Sequence, residues 1–274
     1  MSKVARLLLP AVAATLAACT PANIAEKPFD VPTATVAPPV PIAVSAAPSS
    51  APITLPVTPP PPPVGQGGCP TGMAALPAGT FTMGERHDAV TVQPFCLDVT
   101  EVTVDAYAAC ARAGPCSADH PGAWTPGGAS LWAQSTCNYG VAGRGKHPIN
   151  CVDWGESATY CHAQGKRLPS EEEWEWAARG QNAGTTYPWG NAQPVLQLCW
   201  SGISNHASTC EVGSFPKGDA PGGIHDLAGN VWEWTSSDYD AGSAARVSRG
   251  GGWYDDDVSV VRGADRGGSA PYES

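Results

Sequence analysis

The chain has 274 residues and a formal net charge of −10, with 42% hydrophobic but only 15% charged residues. That length fits one large domain or two small ones, and the apolar content excludes wholesale disorder. The acidic balance argues against an electrostatic nucleic-acid footprint, so no nucleic-acid partner is expected. No apolar run reaches the ~18 residues of a spanning helix, which argues against a polytopic membrane protein.

Composition is uneven along the chain. Of 28 prolines, 14 lie between Thr20 and Gly68, whereas all ten tryptophans lie between Trp124 and Trp253. One stretch lacks the makings of a core and another is rich in them.

Residues 1–18 read as a signal peptide. Lys3 and Arg6 are followed by a short apolar run ending Leu16-Ala17-Ala18-Cys19. A positive start, a short apolar region and small residues at a cut site are an export signal. The Leu-Ala-Ala-Cys order resembles the lipobox of bacterial lipoproteins. That resemblance implies lipidation of Cys19, a membrane partner through the lipid anchor, and an envelope location, at the outer membrane in a Gram-negative cell. The alternative is a secreted protein whose Cys19 is incidental.

Residues 19–68 then form a lipidated cysteine and a Pro-rich tether, with Pro59 to Pro63 consecutive. Proline fixes φ and removes a donor, so neither helix nor central strand is expected. A spacer is favoured over a ligand for an SH3-like domain.

The folded domain is expected over 69–274. Gly79 to Gly84 and Phe95 to Thr100 carry strand signals. Thr103 caps a helix that runs through Ala113 and stops at Gly114 and Pro115. Asp153 with Glu156, and Ser170 with Glu173, are capping boxes opening two more helices. These end at Gly165 and Gly180. Beyond Gly180 come short pieces at Tyr187 to Asn191, Asn230 to Ser236, Arg246 to Trp253 and Ser259 to Arg262. Few helices and many short irregular pieces make a loop-rich α+β domain. Trp154, Trp174, Trp176, Trp232 and Trp234 fit an aromatic loop core, with a sugar-binding platform as the alternative.

Without Cys19, nine cysteines remain, which in an exported domain suggests four disulfides and one leftover. Spacing offers Cys69–Cys96, Cys110–Cys116, Cys137–Cys151 and Cys199–Cys210, leaving Cys161 as a buried free thiol. Spacing does not prove connectivity. No C-x-x-C pair or clustered histidine spacing supports a zinc site. The near-P-loop from Gly140 to His147 lacks its Ser/Thr and is followed by Pro148, where a helix should begin. Asp226 and Glu233 flank a Gly229-Asn230 turn. A hard cation such as Ca²⁺ wants oxygen ligands of this kind, although the two carboxylates could equally cap turns.

The motifs in order resemble one family. HPINCVDWGESATYCHAQGKRLPSEEEWEWAARG (147–180), YPWGN (187–191), GIHDLAGNVWEWTSSDY (223–239) and RVSRGGGW (246–253) look like the signature of the formylglycine-generating-enzyme, or sulfatase-modifying-factor, family. The resemblance implies a loop-rich variant of the C-type-lectin fold. It also implies structural Ca²⁺ held by the side chains of Asp226 and Glu233 and the carbonyls of Gly229 and Val231.

The family's enzymes oxidise a substrate cysteine with O₂ through a Cu(I)-binding cysteine pair just after the R-G-G-type strand. Here Tyr254 to Val261 contains no cysteine and the last cysteine is Cys210, so no copper is expected. Asp255, Asp256 and Asp257 stand in that stretch instead. A non-catalytic domain binding a peptide, glycan or envelope partner is the favoured reading. An oxidative enzyme using other ligands, such as Asp255, Asp257 and His225, is the alternative. The family's closing G-F-R-C-A strand is missing before Ser274, so either the fold closes differently or the sequence is truncated; a missing strand would leave an unpaired sheet edge.

Overall fold

The computed structural model describes residues 14–15, 19–21, 68–84, 88–118, 137–203 and 206–272. Most of the signal segment, the Pro-rich stretch from 22 to 67, and Trp124, Trp132, His87 and His120 lie outside these.

Among the described residues, ten short strands and three α-helices alternate with long irregular stretches. Two minimal strands, β1 (Ala14–Thr15) and β2 (Thr20–Pro21), precede the domain. Then come β3 (Met73–Leu76), β4 (Gly79–Met83), β5 (Asp88–Val92) and β6 (Phe95–Asp98). The helices are α1 (Val104–Ala113), α2 (Trp154–Ala163) and α3 (Glu171–Ala178), with β7 (Lys166–Arg167) between α2 and α3. The chain closes with β8 (Trp232–Asp238), β9 (Arg246–Arg249) and β10 (Gly267–Ser269).

The largest sheet runs β1-β8-β9-β10, and three two-stranded sheets pair β2 with β7, β3 with β6 and β4 with β5. This is the loop-rich α+β architecture that the sequence predicts. The edge of β9 expected to be open is covered by β10, with Gly268 opposite Val247. Glycine disfavours strands intrinsically, so Gly267-Gly268-Ser269 carries no strand signal of its own. Close packing selects the small residues there: a Cβ on Gly268 would lie 2.3 Å from the Tyr239 ring. Ser259 to Arg262, one of the short irregular pieces, is a turn.

Each helix start obeys local chemistry. The Thr103 side chain accepts from the Ala106 amide, and Asp153/Glu156 and Ser170/Glu173 form complete capping boxes. Gly114 ends α1 with φ +102°, a conformation that costs glycine little. One core cluster gathers α1, α2 and Trp234; a second sets Trp174 and Trp176 against Leu76, Phe81 and Leu97.

The five tryptophans singled out from sequence have their indoles satisfied, whereas the buried Trp200 Nε1 has no hydrogen-bond partner. Trp174 donates to Glu233, Trp176 to the Pro77 carbonyl, Trp234 to Val152, Trp154 to Thr235 and Trp232 to Asp255. Trp174, Trp176 and Trp234 are fully buried, so they present no face to a sugar.

Arg249 is buried at the centre of an ionic knot. It lies 2.7 Å from both Glu171 and Glu175 and also donates to the carbonyls of Gly263 and Asp265. Arg266 and Arg179 close the network on the same two glutamates. The knot ties α3 to β9 and to the segment leading into β10.

The disulfides are Cys69–Cys96, Cys110–Cys116, Cys137–Cys151, Cys199–Cys210 and Cys19–Cys161. Cys161, expected as a free thiol, is therefore bonded, and no cysteine among the described residues is free. Its partner was hidden because the lipobox resemblance takes Cys19 out of the disulfide count, and Cys19 lies 142 positions away, beyond any spacing argument. Cys19 is buried, its amide donates to Asp98 and its carbonyl accepts from the Asp98 amide. A sulfur in a disulfide cannot also carry a thioether-linked lipid, so the bridge and the lipid anchor are exclusive states of Cys19.

Candidate functional site

Between α3 and the strand β8, the chain makes a turn that folds its own carboxylates inward. Asp226 and Asn230 adopt left-handed φ values of +56° and +59°, on either side of Gly229 at +78°. Asp and Asn tolerate this region better than most residues, and glycine does so freely. Gly229 is also fixed by space, since a Cβ there would sit 2.6 Å from the Cys199 carbonyl. The Asn230 amide donates to that same carbonyl, and the Gly229 amide donates to Gly250. The turn is thus bolted to the Cys199–Cys210 loop on one side and to the end of β9 on the other.

Asp226 and Glu233, singled out from sequence, are both buried, and Gly229 and Val231 lie in the same buried turn. A third buried carboxylate, Glu101, joins them from the loop before α1. Its Oε2 accepts from Asn230 Nδ2 at 2.7 Å, while its Oε1 has no hydrogen-bond partner. Asp226 accepts from the Gly213 amide at 2.6 Å and Glu233 from the Trp174 indole at 2.8 Å. Sequence reasoning missed Glu101 because it stands 125 positions from Asp226. The available signal was a glutamate between strand and helix, flanked by Val99 and Val102.

The electrostatics of this cluster are unfavourable without a cation. Burial pushes Glu233 up to about 8, and the Asp226 charge adds to the effect while the Trp174 indole opposes it. Burial likewise raises Asp226 to about 6, against the Gly213 amide and His225. Glu101 is raised well above the usual carboxylate range, first by burial and then by Asp226 and Glu233; Asn230 and the Val231 amide act the other way. No lysine or arginine is among the charges shifting these three groups. Buried carboxylates without counter-charge are costly, so they stay protonated or take up a cation. The set is all oxygen, the kind a hard ion such as Ca²⁺ takes, but the three carboxylates do not have ligand atoms drawn within 4.8 Å of one another, so they are not closed around an ion.

The stretch after β9 is built differently. Asp255 Oδ2 accepts from the Gly252 amide at 2.8 Å and from the Trp232 indole at 3.0 Å. Burial raises the Asp255 pKa, with those two bonds lowering it and Asp256 and Asp257 raising it. Asp257 accepts from the Ser259 amide and hydroxyl, and His225 Nδ1 lies 2.8 Å from Asp219. Asp255, Asp257 and His225 are therefore not brought together as a ligand set. Their carboxylates and ring close local turns instead. Among the described residues, the one compact group of three or more His, Cys, Asp and Glu ligand atoms is Cys199, His206 and Cys210.

A loop-rich α+β domain with this carboxylate turn and with the tryptophan core defines a class of lectin-like modifying-factor domains. Residues 62–274 match the sulfatase-modifying factor enzyme 1-like domain, and the chain belongs to that family. It is 31% identical over 269 residues to the formylglycine-generating enzyme of Streptomyces coelicolor, covering 74% of this chain and 86% of that protein. It is 40% identical over 143 residues to the inactive C-alpha-formylglycine-generating enzyme 2 of Bos taurus, covering 48% of this chain. The match spans about half the length of that relative, 47%. A shorter region, 34% of the chain, is 38% identical to the hercynine oxygenase of Mycolicibacterium smegmatis. In fold, the chain is similar to Treponema denticola variable protein 1, with TM-score 0.53, 21% identity, and 73% and 89% of the two chains covered.

Proposed function

We propose that this chain is an exported, disulfide-cross-linked member of the family that binds a peptide, glycan or envelope partner and does not perform formylglycine chemistry. The observation that carries this reading is the stretch after Arg249-Gly250-Gly251-Gly252-Trp253. It offers Asp255, locked by the Trp232 indole and the Gly252 amide, where the resemblance calls for soft thiolates. A hydrogen-bonded carboxylate is a poor ligand for Cu(I), which prefers sulfur. Similarity to a relative named as inactive supports the same reading.

The turn from Asp226 to Glu233 holds a structural Ca²⁺ in this account, with the Gly229 and Val231 carbonyls contributing and Glu101 as a further carboxylate. The ion supplies positive charge to an otherwise uncompensated cluster, and its role is to fix the turn against β9. Membrane attachment through Cys19 belongs to this reading for molecules in which Cys19 is acylated; those carrying the Cys19–Cys161 bridge are held by their fold alone.

The test is redox-metal content and oxygen consumption of the purified oxidised domain. Substoichiometric copper and iron, with no oxygen uptake in the presence of a cysteine peptide and a reductant, is the expected result. Stoichiometric redox metal with oxygen uptake would move the chain to the alternative, an oxidative protein-modifying enzyme.

A further inference from the structure

Cys199, His206 and Cys210 offer three ligand atoms that lie within 4.8 Å of one another. Cys199 is fully buried, whereas Cys210 and His206 are half-buried at the surface of the loop. His206 Nδ1 is 3.6 Å from Cys210 Sγ, and the imidazole is held edge-on against Phe215 with centroids 5.7 Å apart. The loop itself is anchored. The Cys210 amide donates to Asn230, the Cys199 carbonyl accepts from the Asn230 amide, and Ser201 bonds the backbone of Trp253 and Asp255. Opening the disulfide therefore leaves both sulfurs close to where they now stand.

In the oxidised form the group is closed to metals, because thiolates rather than disulfide sulfurs are the ligands. An imidazole beside one sulfur changes how readily the bridge opens. An imidazole nitrogen 3.6 Å from Cys210 Sγ is placed to donate a hydrogen bond to the departing thiolate, and a stabilised leaving group speeds exchange. Cys19–Cys161 and Cys110–Cys116 are buried at both ends.

We propose that Cys199–Cys210 is the reducible disulfide of this domain, and that its dithiol form, with His206, is a site for one thiophilic d¹⁰ cation such as Zn²⁺ or Cu⁺. In the reaction, a dithiol reductant gives two electrons and two protons to the S–S bond and becomes a disulfide itself. Metal binding then releases the two thiol protons and forms two metal–sulfur bonds and one metal–nitrogen bond. A fourth position stays open, as in sites that keep an exchangeable ligand. The site is separate from the carboxylate turn and does not depend on whether the chain has formylglycine activity.

The experiment titrates the full folded domain with a dithiol, traps free thiols by alkylation and maps them. Cys199 and Cys210 are expected to be modified at lower reductant than any other pair. The partly reduced protein is then titrated with Cd²⁺ and Zn²⁺. One equivalent of Cd²⁺ should give thiolate-to-metal charge-transfer absorbance, and H206A should weaken Zn²⁺ binding by at least about tenfold. H206A leaves the oxidised fold intact, which circular dichroism checks before reduction. A different pair opening first, no bound equivalent, or equal Zn²⁺ affinity in H206A would each overturn the proposal.

Discussion

Removing Ca²⁺ should destabilise the domain more strongly at alkaline than at acidic pH. In the metal-free protein, Glu233 titrates at about 8, above its ordinary value of 4.5, because it is buried. Between those two pH values the folded state binds more protons at this group than the unfolded state does. Stability contributed here is therefore fully present below 4.5 and is lost as pH rises toward 8. A difference of about 3.5 pH units at 1.36 kcal/mol per unit corresponds to about 5 kcal/mol for this fully buried group, as an order of magnitude. Asp226, at about 6 against an ordinary 3.8, acts in the same direction over a lower window. Ca²⁺ replaces the missing proton with a cation. At 100 times its Kd it should return about 2.7 kcal/mol, or roughly 5–10 °C in Tm for a domain of this size. The assay is thermal unfolding of the oxidised domain in EDTA and in excess Ca²⁺, at pH 5 and pH 8. The expected result is a large Ca²⁺ increment at pH 8 that shrinks at pH 5. Equal melting curves with and without Ca²⁺ at pH 8 would refute the reasoning.

Other substitutions probe the same construction. Glu101→Gln should leave the fold in place yet weaken Ca²⁺ binding, measured by calorimetry; unchanged affinity would remove Glu101 from the site. Gly229→Ala forces a Cβ to 2.6 Å from the Cys199 carbonyl at φ +78°, so a loss of about 1–3 kcal/mol is expected in denaturant melts. Arg249→Met removes the cation shared by Glu171 and Glu175 while leaving each its other partner, Arg266 and Arg179, so a loss of about 1.5–3 kcal/mol is expected in denaturant melts. Non-reducing peptide mapping of protein purified from an exporting host should recover Cys19 joined to Cys161. Acylated Cys19 with free Cys161 would show that the lipid takes the sulfur instead.

The parts of the fold legible in the sequence are those whose causes are local. The caps at Thr103, Asp153 and Ser170 are written within four residues, and they place all three helices. Spacing also suggested the four short-range disulfides that the structure contains. What was not legible depends on distance in the chain. The Cys19–Cys161 bridge joins two segments with no shared pattern. Glu101 reaches the carboxylate turn from another element, and Arg249 gathers glutamates from α3. β3 and β5 were not read as strands because Met73-Ala74-Ala75-Leu76 has no β-branched or aromatic residue and Asp88-Ala89 opens β5 with types depleted in strands. At the site, the acidic residues Asp255 and Asp257 looked available as ligands from sequence. The structure shows them occupied by backbone amides, an indole and a hydroxyl.

The most direct test of the central claim is conversion of a C-x-P-x-R peptide. The oxidised domain, supplied with Cu(I), oxygen and a thiol reductant, is assayed beside the Streptomyces coelicolor relative, and the aldehyde product is measured by mass spectrometry. The account predicts that the peptide cysteine stays intact with this chain while the relative is assayed in parallel as the reference. Multiple turnovers to the aldehyde by this chain would contradict it.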